Sequence, residues 1–280
     1  MSTMSFAPRG LTWAVLRLHR VALLLGGLFL TLMVGSLLWV RSRGIEAGSL
    51  DSGCAIPAQP GLRDCREPAP SVLLDWTGEA STLATVIAWM SYGIAAYAAG
   101  ALIARELENG TAALAWTQSV SPARWLASKL LVPAILLTVG GTALVLLYRW
   151  MWQDAPPGLR NSWSYPDTYV DRGPVAVAYL LCALAVGALT AVAVRRVLPA
   201  MGIAMVAMLL VLEGLHRMRD QLWPTDSTSM TLRGWWSAGG IDDHPAKHFW
   251  PLQLMETGIV LALTAALTAT AFWLLRRRTP

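Results

Sequence analysis

The residues best suited to chemistry in this sequence lie in one short polar segment between two long apolar ones. Glu106 and Glu108 stand at the foot of the second apolar stretch, at a position where a membrane protein would normally carry cations. Two carboxylates in such a place can form ion pairs and charge-assisted hydrogen bonds with another protein. We therefore interpret this segment as a docking element. Its candidate residues are Arg105, Glu106, Glu108, Gly110, Thr111 and Gln118.

The sequence excludes nucleotide binding through a phosphate loop. That loop needs a glycine directly before its lysine. The chain has only Lys129 and Lys247, which follow a serine and an alanine. Any ATP hydrolysis coupled to this chain must therefore take place on a partner protein.

No cluster of residues predicts catalysis or a metal site. His244 and His248 have the i, i+4 spacing of zinc ligands, but Pro245 lies between them and no glutamate follows the first histidine. Glu213 and Glu256 lie near the outer ends of apolar segments rather than at mid-depth, which argues against an ion path. An interfacial or paired role fits these two carboxylates better.

The composition predicts a membrane protein. The 280 residues are 55% apolar and 14% charged, with a mean hydropathy of +0.48, whereas soluble domains carry about 25% charged residues. The basic balance does not indicate nucleic-acid binding, because most Lys and Arg residues flank apolar segments. A helix of about 20 residues crosses the hydrocarbon layer. The predicted spans cover residues 21–40, 82–104, 130–148, 175–194, 198–215 and 252–275.

We predict an all-α membrane protein, a single transmembrane domain over residues 1–280. Residues 6–20 mix apolar and basic side chains and predict an interfacial helix before the first span. The segment between spans 2 and 3 predicts a helix, a break near Gly110 or around residues 119–121, and a second helix capped by Ser121. The predicted outer loops cover residues 41–81, 149–174 and 216–251.

The distribution of charge predicts the orientation of the chain. If the N-terminus is cytosolic, the inside segments hold half of the 22 Lys and Arg residues and only two of the 17 acidic residues. Cytosolic loops of membrane proteins are enriched in cations. We therefore expect both termini, and the acidic segment, to lie in the cytosol.

Two of the three cysteines lie in the first predicted outer loop. Cys54 and Cys65 are separated by a loop rich in proline and glycine, and a disulfide between them is expected outside the cytosol. Two unpaired thiols are the alternative. Cys182 falls within the fourth span and is interpreted as a small buried apolar residue.

The chain resembles a known family in its polar segment and its C-terminal region. Residues 105–111 (Arg-Glu-Leu-Glu-Asn-Gly-Thr), 114–121 and 124–130 resemble the ABC-2 type permeases of ABC exporters. The actinobacterial drug- and antibiotic-export branch is the most similar. Residues 249–258, followed by an apolar span and three arginines, also resemble that branch.

This resemblance implies a subunit of an exporter in a bacterial plasma membrane. Two six-span permeases, identical or homologous, would face each other above two cytosolic ABC ATPases. ATP and Mg²⁺ would bind to the ATPases, and the permease would carry no cofactor. The substrate would be an amphiphilic or hydrophobic compound such as a drug, an antibiotic, a peptide or a lipid. The acidic segment would rest on the ATPase and transmit its closure to the spans.

The resemblance and the spacing together predict partners for the two carboxylates. Glu106 and Glu108, two residues apart, do not share one face of a helix. One is expected to pair with Arg17 or Arg20 of the interfacial helix, while the other faces the ATPase. A solvated helix end is the alternative.

Spans 2 and 5 typically line the transport path in this family. In this sequence they offer aromatic and methionine side chains, which adapt to varied apolar ligands. Ordinary helix packing is the alternative for each of them. The candidates are Trp89, Met90, Tyr92, Tyr97, Met201, Met205 and Met208.

Two further functions compete with export. A membrane sensor or immunity protein would bind such a compound without pumping it. A polytopic membrane enzyme would need a catalytic cluster facing one compartment, and the sequence provides none. Co-purification with an ATPase would distinguish the exporter from both alternatives.

Overall fold

A computed structural model of the chain describes residues 20–50, 54–55, 60, 63–64, 71–118, 120–154, 169–222 and 246–279. Within these ranges the chain is almost entirely helical. The helices are α1 (Arg20–Leu50), α2 (Ser71–Tyr97), α3 (Arg105–Glu108), α4 (Thr111–Thr117), α5 (Pro122–Gln153), α6 (Val175–Val194), α7 (Val197–Met218) and α8 (Phe249–Arg278).

Shorter elements join these helices. A π-helical segment, Ala98–Ala104, connects α2 to α3 without a break, so the two form one continuous rod. Single 3-10 turns precede α6 and α8 and follow α7. Strands β1 (Cys54–Ala55) and β2 (Arg63–Asp64) form one short parallel pair between α1 and α2.

The predicted all-α architecture with six spans is confirmed. Six helices are long and apolar enough to cross a membrane: α1, the rod from α2 to α3, α5, α6, α7 and α8. The predicted interfacial helix over residues 6–20 lies outside the described residues, except for Arg20 at the start of α1.

Part of the first predicted outer loop, residues 41–81, is helical. Helix α1 continues to Leu50 and α2 already begins at Ser71. The helices continue beyond the apolar pattern, and contacts between helices hold these additional turns. The Trp76 indole is fully buried and donates a 3.1 Å hydrogen bond to the carbonyl of Val40. Arg41 pairs with Asp154 at 2.7 Å, which ties α1 to the end of α5.

Helix α6 is the centre of the bundle. It is apolar all round and mostly buried, whereas α1, α5, α7 and α8 are mostly exposed on the outside of the single chain. A helix of this kind must be enclosed by its neighbours. Gly187 permits the closest approach, because a Cβ there would lie 2.5 Å from the carbonyl oxygen of Ala95 and 2.7 Å from the Cβ of Ala98. Small residues let membrane helices pack this tightly.

A buried ion pair ties together the ends of α6, α7 and α8. Arg219 donates two hydrogen bonds, of 2.8 and 2.9 Å, to the carboxylate of Glu256, and Tyr179 donates a third of 2.5 Å. Both charged residues are at most 2% exposed. Burial alone would lower the pKa of Arg219, but the hydrogen bonds and negative charge of Glu256 raise it. The Glu256 carboxylate thus accepts three hydrogen bonds inside the bundle.

Replacing Glu256 with glutamine is expected to destabilise the whole bundle. The substitution leaves the Arg219 cation buried without a counter-charge, a defect that costs about 3–5 kcal/mol. Glu213→Gln is the matched control, because Glu213 forms a 2.6 Å pair with Arg217 that is exposed to solvent and is worth at most about 1 kcal/mol. Thermal unfolding of the purified chain in detergent measures both. Equal shifts in the two variants would contradict the assignment.

Candidate coupling site and interhelical cleft

The polar segment is a helix, a sharp break and a second short helix. Gly110 separates α3 from α4 with φ of +72°, in the left-handed region that glycine adopts without strain. Helix α5 then begins at Pro122, and the Ser121 side chain accepts a hydrogen bond from the backbone N–H of Arg124 at 3.3 Å. Both the break near Gly110 and the Ser121 cap agree with the sequence prediction. We call residues 105–118 the coupling segment.

Glu106 joins the coupling segment to α5. Its carboxylate forms an ion pair with Lys129 and accepts a 3.0 Å hydrogen bond from the indole N–H of Trp125. Lys129 is only 4% exposed. A buried ammonium needs a counter-charge, so Glu106 is required to keep the first turns of α5 against α3.

Aromatic packing extends this junction to α4. The Trp116 ring contacts the Trp125 ring edge to face, with centroids 5.8 Å apart. Ala112, on the same side of α4, is buried. The Thr111 hydroxyl donates to the backbone carbonyl of Glu106 at 3.3 Å. One side of α4 is thus fixed against α3 and α5.

Glu108 joins the coupling segment to a third helix. Its carboxylate accepts a 2.7 Å hydrogen bond from the backbone N–H of Val197, the first residue of α7. No side chain of α7 itself caps this end. A carboxylate at a helix N-terminus satisfies an unpaired N–H and interacts favourably with the helix dipole. Glu108 therefore acts as the cap of α7.

Of the two arginines expected to pair with these carboxylates, only Arg20 lies within the described residues, and the pairing with Arg17 stays a prediction. Neither carboxylate pairs with Arg20, and Arg17 lies outside the described residues. The carboxylates do point to different sides, as predicted, but both sides meet the same chain. The buried ammonium of Lys129 and the unpaired N–H at the start of α7 are stronger partners for a carboxylate than an exposed arginine.

The opposite side of α4 faces outward. Its exposed residues include Thr111, Ala113, Leu114, Thr117 and Gln118. Leu114 is 62% exposed, a large apolar surface at the tip of a polar segment. Arg105 and Gly110 are also exposed. The predicted docking residues thus divide between an inner set that holds the segment and an outer set that is available to a partner.

A cleft of about 680 Å³ opens between α2 and α7, directly above the coupling segment. The cleft is wide at Gly93, Ala96 and Ala101, because residues this small leave space between the two helices. Polar groups lie at the coupling-segment end of the cleft. The remaining lining residues are Tyr97, Arg105, Glu108, Asn109, Val197 and Met201.

Of the predicted cavity residues, Tyr97 and Met201 line this cleft. The others lie elsewhere. Met90 borders a smaller apolar cavity between α2, α5 and α6, and Met208 is buried in the core. Tyr92 packs against the core from its edge. Trp89 and Met205 are 69% and 46% exposed on the outside of the single chain.

The disulfide expected between Cys54 and Cys65 stays a prediction. Cys65 and the side chain of Cys54 lie outside the described residues. Cys182 is a free, buried thiol in α6, as expected. Within the described ranges, no group of three or more His, Cys, Asp or Glu residues could hold a metal ion.

Loss of the Glu106 carboxylate is expected to loosen the coupling segment. In Glu106→Gln, the buried Lys129 has no counter-charge, and hydrogen bonds to charged groups are worth about 1.5–3 kcal/mol. Amide hydrogen exchange in Thr111–Thr117 and the first turn of α5 should accelerate at least about tenfold. Glu108→Gln is the control, because its amide oxygen can still accept from Val197. Identical exchange in both variants would refute the role given to Glu106.

Comparison with known families agrees with this architecture. The family described as "ABC-2 membrane transporter related" matches residues 21–219, which include the first five spans and the whole coupling segment. No curated protein and no solved structure matches the chain. The match covers well over half of the 280 residues. The chain therefore belongs to the ABC-2 membrane transporter related family, as a multi-pass membrane subunit of an ABC transporter.

Proposed function

We propose that this chain is the permease of an ATP-driven exporter and that the coupling segment receives motion from a separate ABC ATPase. The observation that carries the proposal is the division of the coupling segment into two sides. Its inner side is hydrogen-bonded to α5 and α7 and is continuous with α2, and its outer side presents Leu114 and polar residues to the surroundings.

The bonds of the coupling segment define how motion would be transmitted. Movement of α4 would act on α5 through Trp116, Trp125 and Glu106. It would act on α7 through Glu108, and on α2 through the continuous rod. Because α2 and α7 form the two walls of the cleft, a displacement of the segment would change the width of the cleft.

The lining of the cleft indicates the class of cargo. Its walls are mostly apolar, with small residues beside Tyr97 and Met201, and Arg105, Glu108 and Asn109 supply polar groups at one end. Such a site suits an amphiphilic compound with an apolar body and a polar tip. We infer that a drug-like compound, an antibiotic, a peptide or a lipid enters from the cytosolic side and leaves on the other.

The complete transporter would contain a second permease, identical or homologous, and two ATPases. ATP and Mg²⁺ would bind to the ATPases, because this chain has no phosphate loop. The positive charge of the inner segments supports cytosolic termini in a bacterial plasma membrane. The exposed Trp89 and Met205 on α2 and α7 are suitably placed to contact the second permease.

Truncation of Leu114 is expected to weaken binding of the ATPase. Burying a leucine contributes about 1.5–3 kcal/mol, so Leu114→Ala should lower the affinity at least about tenfold. Leu131→Ala is the matched control, because Leu131 is 61% exposed but lies within the span of α5. Affinity is measured with the ATPase that co-purifies with the unmodified chain. Unchanged affinity in Leu114→Ala would contradict the docking role, and a chain that binds its compound with no ATPase partner would indicate a sensor instead.

A further inference from the structure

Two arginines and three aromatic rings form a continuous cluster at the end of the bundle opposite the coupling segment. Arg149, near the end of α5, lies 4.8 Å from the Trp250 ring centroid. The Trp250 and Phe249 rings meet edge to face at 5.4 Å. Arg172 lies 5.6 Å from Phe249 and 5.1 Å from Trp152. The cluster thus places two guanidinium groups on one aromatic wall.

Neither of these two cations forms a salt bridge with a described residue. The salt bridges at this end of the bundle involve Arg41, Arg43, Arg217 and Arg219, and none includes Arg149 or Arg172. The Nε and Nη1 atoms of Arg172 are shielded from solvent without a hydrogen-bond partner. Cation–π contacts with the rings offset only part of that desolvation.

The two arginines are close enough to interact electrostatically. Burial lowers the pKa of Arg172 to about 10; the nearby Tyr148 opposes this shift, and the positive charge of Arg149 acts in the same direction as burial. Two like charges on one half-buried wall repel each other. An anion bound between them would remove that repulsion and give each guanidinium a charge-assisted hydrogen bond.

The surface around the cluster favours a lipid as the source of that anion. Trp150 and Trp250 are 41% and 45% exposed, and aromatic rings of this kind are enriched at the membrane interface. One helical turn further into each span, Leu146 and Leu254 are both 61% exposed. If the phosphate of a lipid lies between the arginines, its acyl chains would therefore lie along α5 and α8.

We propose that Arg149 and Arg172, with Trp152, Phe249 and Trp250, form a binding site for the headgroup of an anionic phospholipid. The site is separate from the coupling segment and does not depend on the proposed export function. It would hold the outer ends of α5 and α8 together through a lipid rather than through a protein carboxylate.

Native mass spectrometry of the purified full-length chain tests this site. The chain is titrated in detergent with phosphatidylglycerol, with zwitterionic phosphatidylcholine, and with inorganic phosphate alone. The unmodified chain should retain phosphatidylglycerol in preference to the other two. Arg149→Gln/Arg172→Gln should reduce that retention at least about tenfold, because two charge-assisted contacts are lost.

Two control variants distinguish a specific lipid site from nonspecific attraction to positive charge and from misfolding of the variant. Arg217→Gln removes an exposed cation at the same end of the bundle and should bind phosphatidylglycerol like the unmodified chain. Arg149→Lys/Arg172→Lys keeps both charges and should restore most of the retention. If the double glutamine variant does not fold, Arg149→Gln alone should still lose several-fold. Equal retention of the anionic lipid by the glutamine variants, or equal retention of inorganic phosphate by the unmodified chain, would overturn the proposal.

Discussion

The interaction on which the proposed mechanism depends is the pairing of Glu106 with the buried Lys129. A nearly inaccessible ammonium group at the start of a span is costly unless an anion meets it. The coupling segment supplies that anion, and the same carboxylate orients the indole of Trp125. The position of a surface helix is thereby fixed by an electrostatic requirement of the bundle. Glu108 adds a second connection by capping α7.

A second buried pair holds the other end of the molecule. Arg219 and Glu256 are enclosed where α7 and α8 meet the start of α6, with Tyr179 as a third member. Between the two pairs, α6 packs through small residues such as Gly187, which allow near contact of backbones. The packing of α6 fixes the centre of the bundle, and the two ion pairs fix its ends. The cleft between α2 and α7 remains open and contacts the coupling segment. In the proposed mechanism, this is the space that changes.

Local patterns predicted the helices well. Apolar length predicted six spans, and Ser121 with Pro122 marked the start of α5. The sequence offered Gly110 and residues 119–121 as alternative breaks, and the helices end at both places. The outer turns of α1 and α2 were missed, because they are held by Trp76 and by ion pairs rather than by apolar length.

The partners of the candidate residues could not be predicted in the same way. Glu106 and Lys129 are 23 residues apart, and Glu108 meets a backbone N–H 89 residues further along. No spacing rule connects such positions; only the packing of α3 against α5 and α7 does. The same limit applies to the predicted cavity, where helix periodicity could not say which faces of spans 2 and 5 meet. Only Tyr97 and Met201 of that set reach the cleft.

The coupling claim is tested most directly by counting molecules transported per ATP hydrolysed. Glu106→Arg places a cation against Lys129 and should separate the coupling segment from α5. In proteoliposomes that contain the permease and its ATPase, we expect ATP hydrolysis to continue while transport per ATP falls at least about tenfold. Unchanged transport per ATP in a correctly inserted variant would contradict it.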